Sequence, residues 1–524
     1  MQPVPRGVLL RAFAAAIVLA IAGCATLPVD YPRLESHALA DTDDTALGRR
    51  WRKALPVEAG QNAFQPLALG VDALLARVAL ARAAERSLDV MYYIWHDDLV
   101  GRHLASAVLA AADRGVRVRI LIDDVGSDVD DNRLMVLQTH PHIEVRLFNP
   151  LATRGKLRFL EMAGDFDRVN RRMHNKAFIA DNQRAIVGGR NIADEYFEAS
   201  GVSNYTDLDV GLAGPVVAQV SALFDAFWNA PTAYPIRAVT GQGGATGDLD
   251  GLRQALAQFV ASQHESPYVQ RARTRSEEIL LGANDVRYYA GNAHLVFDDP
   301  AKVTRDRSSK EGRLFPQFAT LGVPLDHELT IVSPYFVPGD AGVALLAGLV
   351  DRGVRVTVLT NSLAASDVTI VHAAYKRYRE SLVSHGVRLY ELRPDAFEVV
   401  AGPGGRQVNG EKAALHAKVF YFDRQAVFIG SLNLDPRSIQ LNTEMGVVCR
   451  NAAMTQALLG NLESHLDRIA WRVEQDTDEA GRARLVWVET GDGGVRKHSQ
   501  EPGNSGWRKF KVWFLGLLPV ESQL

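Results

Sequence analysis

The hexapeptide Asp-Arg-Gly-Val-Arg-Val occurs twice, from Asp113 to Val118 and from Asp351 to Val356, 238 positions apart (351 − 113). Each copy occupies the same place in the same order of elements. Leu88 to Trp95 and Leu329 to Phe336 are apolar, β-rich runs, followed by helical stretches through Ala112 and Val350. The hexapeptide then leads into Arg119-Ile120-Leu121-Ile122 or Thr357-Val358-Leu359-Thr360. Strand, helix, glycine stop and strand make a βαβ unit, which requires a parallel or mixed sheet covered by helices. A single copy says little, because glycine between a helix and β-branched residues is a common helix-to-strand turn. Two copies, at an interval far longer than a solenoid period, make a duplicated domain.

The chain has 524 residues, 47% hydrophobic and 23% charged, enough for large cores and for two or three domains. Its 58 Lys and Arg are balanced by 61 Asp and Glu, so it lacks the basic excess of a nonspecific nucleic-acid binder. Two distant cysteines, Cys24 and Cys449, exclude a disulfide framework, a multi-cysteine zinc site and an iron–sulfur cluster.

Residues 1–24 read as an export signal, with Arg6 and Arg11 ahead of a short apolar run from Ala12 to Ala22. An uncleaved anchor or a plain secretory signal shares that apolar physics. The order Ile21-Ala22-Gly23-Cys24 resembles the lipobox of bacterial lipoproteins, which implies that Cys24 is the lipidated end of the mature chain. Ala25, where an inner-membrane lipoprotein has Asp, then implies the outer membrane, on the periplasmic face of the cell envelope. Residues 25–55 are polar, with Pro28, Pro32 and an acidic run from Asp41 to Asp44, and read as a linker. No later segment has the length and apolarity of a membrane-spanning helix. The expected organisation continues as a first domain over 56–240, a glycine-rich linker over 241–262, a second domain over 263–490 and a tail over 491–524. A further cluster, Gly402-Pro403-Gly404-Gly405, reads as a long loop, and neither glycine cluster has the spacing of a nucleotide-phosphate loop.

The chemistry lies in a second pair of matching stretches. The first reads His174-Asn175-Lys176, Asp181 and Gly188-Gly189-Arg190-Asn191; the second reads His416-Ala417-Lys418, Asp423 and Gly430-Ser431-Leu432-Asn433. The two histidines are 242 positions apart (416 − 174), nearly the interval of the hexapeptides. Alternating residues after each lysine argue for strand, where positions i and i+2 share a face, so each His and Lys project together. Asp181 and Asp423 begin turns, and a returning strand brings Asn191 and Asn433 alongside. An imidazole, an ammonium and a carboxamide, twice over, suit an oxyanion that keeps its charge, namely a phosphate diester.

These motifs resemble the HxKx4Dx6GSxN signature of the phospholipase D superfamily, and the resemblance runs from about Pro66 to Arg472. It implies an α/β fold: a duplicated phospholipase D-like domain, two mixed sheets flanked by helices with pseudo-two-fold symmetry. It also implies that one of His174 and His416 forms a covalent phosphohistidine while the other protonates the leaving alkoxide. Lys176, Lys418, Asn191, Asn433 and Ser431 would then hold the phosphoryl oxygens, and Asp181 and Asp423 would complete the catalytic motif as structural members. Gly189 stands where the second motif has Ser431. Asp207 and Glu444 match the carboxylates that orient the histidines, with Asp209 a neighbouring alternative to Asp207. Which carboxylate serves which histidine is open at this level.

No metal or cofactor is needed when Lys, Asn and His hold the phosphoryl group; His96-Asp97-Asp98 and Asp123-Asp124 are the nearest acidic groups, and both read as turn caps. Three substrates fit: phospholipids in a transfer that makes cardiolipin, phospholipids in hydrolysis to phosphatidic acid, and nucleic acid. Balanced charge and an envelope address count against the last. Ser333-Pro334-Tyr335-Phe336-Val337-Pro338-Gly339, Thr360-Asn361-Ser362-Leu363-Ala364-Ala365-Ser366-Asp367 and the ending from Leu518 to Leu524 are similar to the type C branch of bacterial cardiolipin synthases. That implies transfer of a phosphatidyl group onto phosphatidylglycerol, with phosphatidylethanolamine a candidate donor. The expectation is a monomer at a membrane surface. The segment from Trp507 to Leu518 mixes three cations with aromatics, as an interfacial helix or a packed tail would. Tyr93, Trp95, Tyr335 and Phe336 are candidates for an acyl entrance, with core packing the alternative.

Overall fold

The computed structural model describes residues 27–49, 58, 60–155, 158–241, 245–281, 287–397, 412–491 and 493–503. The strands of the first half are β1 (Asn62–Leu67), β2 (Ser87–Tyr92), β3 (Arg117–Asp123), β4 (Ile143–Phe148), β5 (Ala177–Ala180), β6 (Arg184–Gly188), β7 (Ser203–Thr206), β8 (Asp209–Ala213) and β9 (Ala233–Pro235). Those of the second are β10 (Tyr289–Phe297), β11 (Glu328–Val332), β12 (Arg355–Asn361), β13 (Arg388–Leu392), β14 (Lys412–Leu415), β15 (Lys418–Phe422), β16 (Ala426–Gly430), β17 (Met445–Arg450), β18 (Ala470–Thr477), β19 (Ala483–Gly491) and β20 (Gly494–His498).

Pairing in the first half runs β9-β4-β3-β2-β5-β6-β8-β1, and in the second β18-β13-β12-β11-β15-β16-β17-β10, extended at its outer edge by β19 and β20. The two orders are the same order. Both sheets are mixed, as expected, but β1 pairs antiparallel with β10 and joins them into one continuous sheet. An antiparallel pairing of equivalent strands is what a two-fold relation between the halves produces.

The repeated hexapeptides lie where the βαβ reading puts them. The helix Leu99–Asp113 connects parallel strands β2 and β3, and Gly339–Asp351 connects β11 and β12. Asp98 caps the first helix by accepting from the Gly101 N–H at 2.8 Å. Gly115 and Gly353 end the helices at φ of 92° and 87°, a region that costs other residues strain. Side chains alternate between layers, with period two. Leu88, Val90 and Ile120 pack beneath the outer helices of the first half, while Met91 and Leu121 join an inner core shared with Val419, Val427 and Val447 of the second.

Three expected boundaries shift. Residues 27–49, expected as a free linker, run as a strap across the first sheet. Arg119 donates to the Ser36 carbonyl and Arg146 to the Leu34 carbonyl; both guanidiniums are buried and need those acceptors. The expected linker 241–262 ends in a helix, Leu249–Ser262, that packs on Leu99–Asp113, and Pro267–Leu280 packs on the first-half helix Gly70–Ala83 through the Arg275–Asp72 ion pair. The second lobe therefore begins near β10 and not at residue 263. The hairpin of β19 and β20 carries it past residue 490, and Glu501 reaches back to Arg379 and His372. Cys24, the Gly402–405 cluster and the segment from Trp507 lie outside the described residues. Among the described residues no helix is long and apolar enough to cross a membrane.

Candidate active site

Each histidine begins one of the two equivalent hairpins, and the lead-in to each pairs with the opposite half. β14 runs parallel to β7 with Leu415 opposite Thr206, so the next residues, His416 and Asp207, face one another. The second crossing is a bridge between Met173 and Thr443, extended by the His174 N–H on the Thr443 carbonyl at 2.9 Å, which brings His174 to Glu444. His416 Nδ1 is 2.6 Å from Asp207 Oδ2, and His174 Nδ1 is 2.9 and 3.1 Å from the two Glu444 oxygens. Each imidazole is thus oriented by a carboxylate from the other half, and each leaves Nε2 for chemistry.

Lys176 and Lys418 are buried, and each ammonium donates to the carbonyl of its own histidine. Asn191 accepts from the Ile94 N–H through Oδ1, while its Nδ2 and the Oδ1 of Asn433 are buried without a partner. Unsatisfied buried amides beside two buried ammoniums are poor for stability and apt for a ligand with phosphoryl oxygens and a hydroxyl. Ser431 does not belong to that ligand set: its hydroxyl donates to Glu444 Oε2. Asp181 and Asp423 sit at the far ends of β5 and β15. Asp181 accepts from the backbone N–H of Glu85, Arg86 and Ser87, and Asp423 from those of Asp326, His327 and Glu328. They anchor the turn into the neighbouring strand.

The departure at Gly189 has a steric cause. A Cβ there would lie 2.3 Å from Asp207 Oδ1, so the short carboxylate of the first half excludes the serine that the longer Glu444 accommodates in the second. Asp209, the alternative orienting carboxylate, is instead bound by the buried Arg77 at 2.8 Å.

The two carboxylates differ electrostatically. Burial would raise Asp207, but His416 and Lys418 outweigh it and hold it at about 2. Burial raises Glu444 to about 7 against the pull of Lys176. Both imidazoles are pushed below the ordinary histidine range by burial and then by the lysines, His174 also by Arg437. Burial also lowers both ammoniums, Lys418 to about 8. A site that penalises its own cations is set up for an anion that restores the balance.

Aromatics enclose both imidazoles. The Tyr93 ring is 5.3 Å from His174, and Tyr196 and Tyr205 are 4.9 and 5.3 Å from His416. Of the residues expected to line an entrance, Tyr93 and Tyr335 stand at the site, whereas Trp95 and Phe336 are buried in the core. Tyr196, Tyr205, Asp367 and Arg437 escaped the sequence reading as site residues; only Tyr205, two positions before Asp207 on a strand, carried a signal. His96, Asp98 and Glu195 place one possible ligand atom each within 4.8 Å of one another, but Asp98 already accepts from the N–H groups of Gly101 and Asp194. Asp123 is likewise taken up by Arg172 and the Met173 N–H.

The chain matches the family described as cardiolipin synthase, PLD-like domain, over residues 78–228 and 326–466. It is 41% identical to cardiolipin synthase C of Escherichia coli over 474 residues, 88% of this chain and 96% of that protein. It is 27% identical to cardiolipin synthase A of Pseudomonas entomophila, covering 78% of this chain and 69% of the relative. Among solved structures, phosphatidylserine synthase of Haemophilus influenzae superposes with a TM-score of 0.52 at 14% identity, over 78% of this chain and 87% of the other, a likeness of fold.

Proposed function

We propose, for a chain that belongs to the cardiolipin synthase family of phospholipase D-like enzymes, that it is a phosphatidyltransferase that makes cardiolipin by moving a phosphatidyl group onto phosphatidylglycerol. The observation that carries the reading is the pair of buried imidazoles, each fixed through Nδ1 by the opposite half, beside two buried ammoniums and two carboxamides that each keep one buried atom unpaired.

The carboxylates divide the roles. Asp207 stays ionised and supports an imidazolium at His416 once a bound phosphodiester anion offsets the burial and the lysines that otherwise hold that imidazole low; Glu444, pushed up to about 7 and hydrogen-bonded by Ser431, supports a neutral His174. His174 Nε2 attacks phosphorus and the P–O bond to the donor headgroup breaks. The proton on His416 Nε2 passes to the departing oxygen. The phosphoryl group, now bonded to His174, keeps its negative charge against Lys176 and Lys418. A phosphatidylglycerol hydroxyl next gives its proton to His416 and attacks phosphorus, forming the new P–O bond as the P–N bond breaks. Water in place of that hydroxyl would release phosphatidic acid.

The enzyme works at a membrane surface as a monomer, tethered through lipid on Cys24 to the periplasmic side of the envelope. The sequence from Ile21 to Cys24 supports that address, and phase partition of the full chain beside Cys24→Ser tests it. For the activity, purified protein lacking residues 1–24 is incubated without added metal with phosphatidylglycerol, with phosphatidylethanolamine and with both, and products are resolved by mass. His174→Ala and His416→Ala serve as controls. Cardiolipin lost in both variants is the expected result. Phosphatidic acid as sole product would make the protein a hydrolase, and no His-dependent lipid product would refute the phospholipid reading.

A further inference from the structure

The two sides of this pseudo-symmetric site carry opposite charge. Beyond His174 stands Arg437, whose guanidinium depresses the His174 imidazole and donates to the Asn170 carboxamide. Beyond His416 stands a carboxylate, Asp367, held from both halves: Tyr335 of the second donates to it at 2.9 and 3.0 Å, and Tyr205 of the first at 3.2 Å. Tyr205 is also the residue whose ring packs on His416, so one tyrosine side chain spans from the catalytic imidazole to this carboxylate. Asp367 is exposed, and among the described residues no Lys or Arg pairs with it. Its field nevertheless reaches the buried ammonium of Lys418. Glu195 adds a second negative group to the same side, felt by Tyr205 and Tyr196.

An acceptor fixed by two phenols, flanked by aromatic faces and lacking a cation, is suited to a primary ammonium: the carboxylate takes its N–H groups and the rings stabilise its charge. Beside His174 the nearby carboxylate of Asp123 is buried and taken up by Arg172, and Arg437 would repel such a group. We propose that Asp367, positioned by Tyr205 and Tyr335, binds the ammonium of the donor phospholipid's headgroup and thereby selects an aminoalcohol-bearing lipid as donor, its headgroup leaving on the His416 side. The proposal rests on the phosphatidyl-transfer reading and specifies the residue that recognises the donor's headgroup. The balance is that given above, with the departing group an aminoalcohol: its P–O bond breaks, His416 supplies the proton to its oxygen, and its ammonium stays protonated on Asp367. The uncharged glycerol headgroup makes no use of that charge.

The test is a competition. Vesicles of phosphatidylethanolamine and phosphatidylglycerol in equal amounts are given to the full chain, and ethanolamine and glycerol released are measured together. Asp367→Asn is expected to lower the ethanolamine-to-glycerol ratio by about ten- to hundredfold, the worth of a hydrogen bond to a charged group. Tyr205→Phe and Tyr335→Phe should lower it less, and a thermal melt shows whether each variant is folded. With phosphatidylcholine, whose trimethylammonium has no N–H to donate, in place of phosphatidylethanolamine, the wild type should release less choline than it released ethanolamine, and the gap to Asp367→Asn should narrow. An unchanged ratio in folded Asp367→Asn would overturn the proposal, as would a wild type that makes cardiolipin while releasing glycerol alone; that second result leaves the transfer reading standing. Absence of any His-dependent lipid product would overturn both.

Discussion

His416 Nδ1 lies 2.6 Å from Asp207 Oδ2, across the boundary between the two halves of the chain, and His174 makes the reciprocal contact with Glu444. Each of these two histidines takes its carboxylate from the opposite half and not from its own. The active site is therefore a property of the docked halves, and the β1–β10 pairing and shared inner core that hold them together are part of the catalytic apparatus.

The two carboxylates should not be equivalent in use. Asp207→Asn removes the charge that supports an imidazolium at His416 and should lower kcat by about 10³- to 10⁴-fold, as for other His-orienting aspartates. Glu444→Gln replaces a group already near neutrality and should cost about 10- to 100-fold. Single-turnover rates of cardiolipin formation for the two variants decide; equal losses would contradict the assignment of roles.

Restoring the second motif's serine to the first should fail. Gly189→Ser places a Cβ against the Asp207 carboxylate, which then moves from His416. The expected outcome is a loss of activity comparable to Asp207→Asn, with a melting temperature lower by the equivalent of about 1–3 kcal/mol. Ser431→Gly should be milder, because it removes one hydrogen bond to Glu444 and introduces no clash.

Lys418, pushed down to about 8 by burial, sets an alkaline limit. The lysine must be protonated to hold a phosphoryl oxygen, so kcat/KM should fall as pH rises past about 8. Stability moves the other way. The folded group sheds its proton at lower pH than the ordinary lysine value of 10.5, so this residue's contribution to stability grows from about pH 8 toward 10.5. Lys418→Met should abolish activity without lowering the melting temperature at pH 7, measured by scanning calorimetry.

The strap should be structural. Removing residues 1–26 leaves Leu34 and Ser36 in place and should not change the denaturant midpoint. Removing 1–46 deprives buried Arg146 and Arg119 of carbonyl acceptors and should cost about 1–3 kcal/mol for each guanidinium. Equal midpoints for the two truncations would return the segment to the status of a linker.

Duplication, fold class and the residues of the two motifs were legible in the sequence because they depend on local order. Period-two alternation makes strands, glycine at positive φ ends the helices before Val116 and Val354, and fixed offsets put His beside Lys and Asn. The register of β7 against β14 was not legible, since it joins residues some 209 positions apart, and with it went the pairing of His416 to Asp207. The strap is illegible for a related reason: its own residues are polar and unpatterned, and what holds it is the demand of Arg119 and Arg146, on distant strands, for buried acceptors. That Gly189 stands where the second motif has Ser431 is plain from the sequence, but the reason, the carboxylate of Asp207 packed where a Cβ would lie, is tertiary. Local order thus names the groups available to the site. Only the tertiary structure decided which of them face one another, because the free energy that sets those contacts comes from burial and pairing between the halves, which no local pattern records.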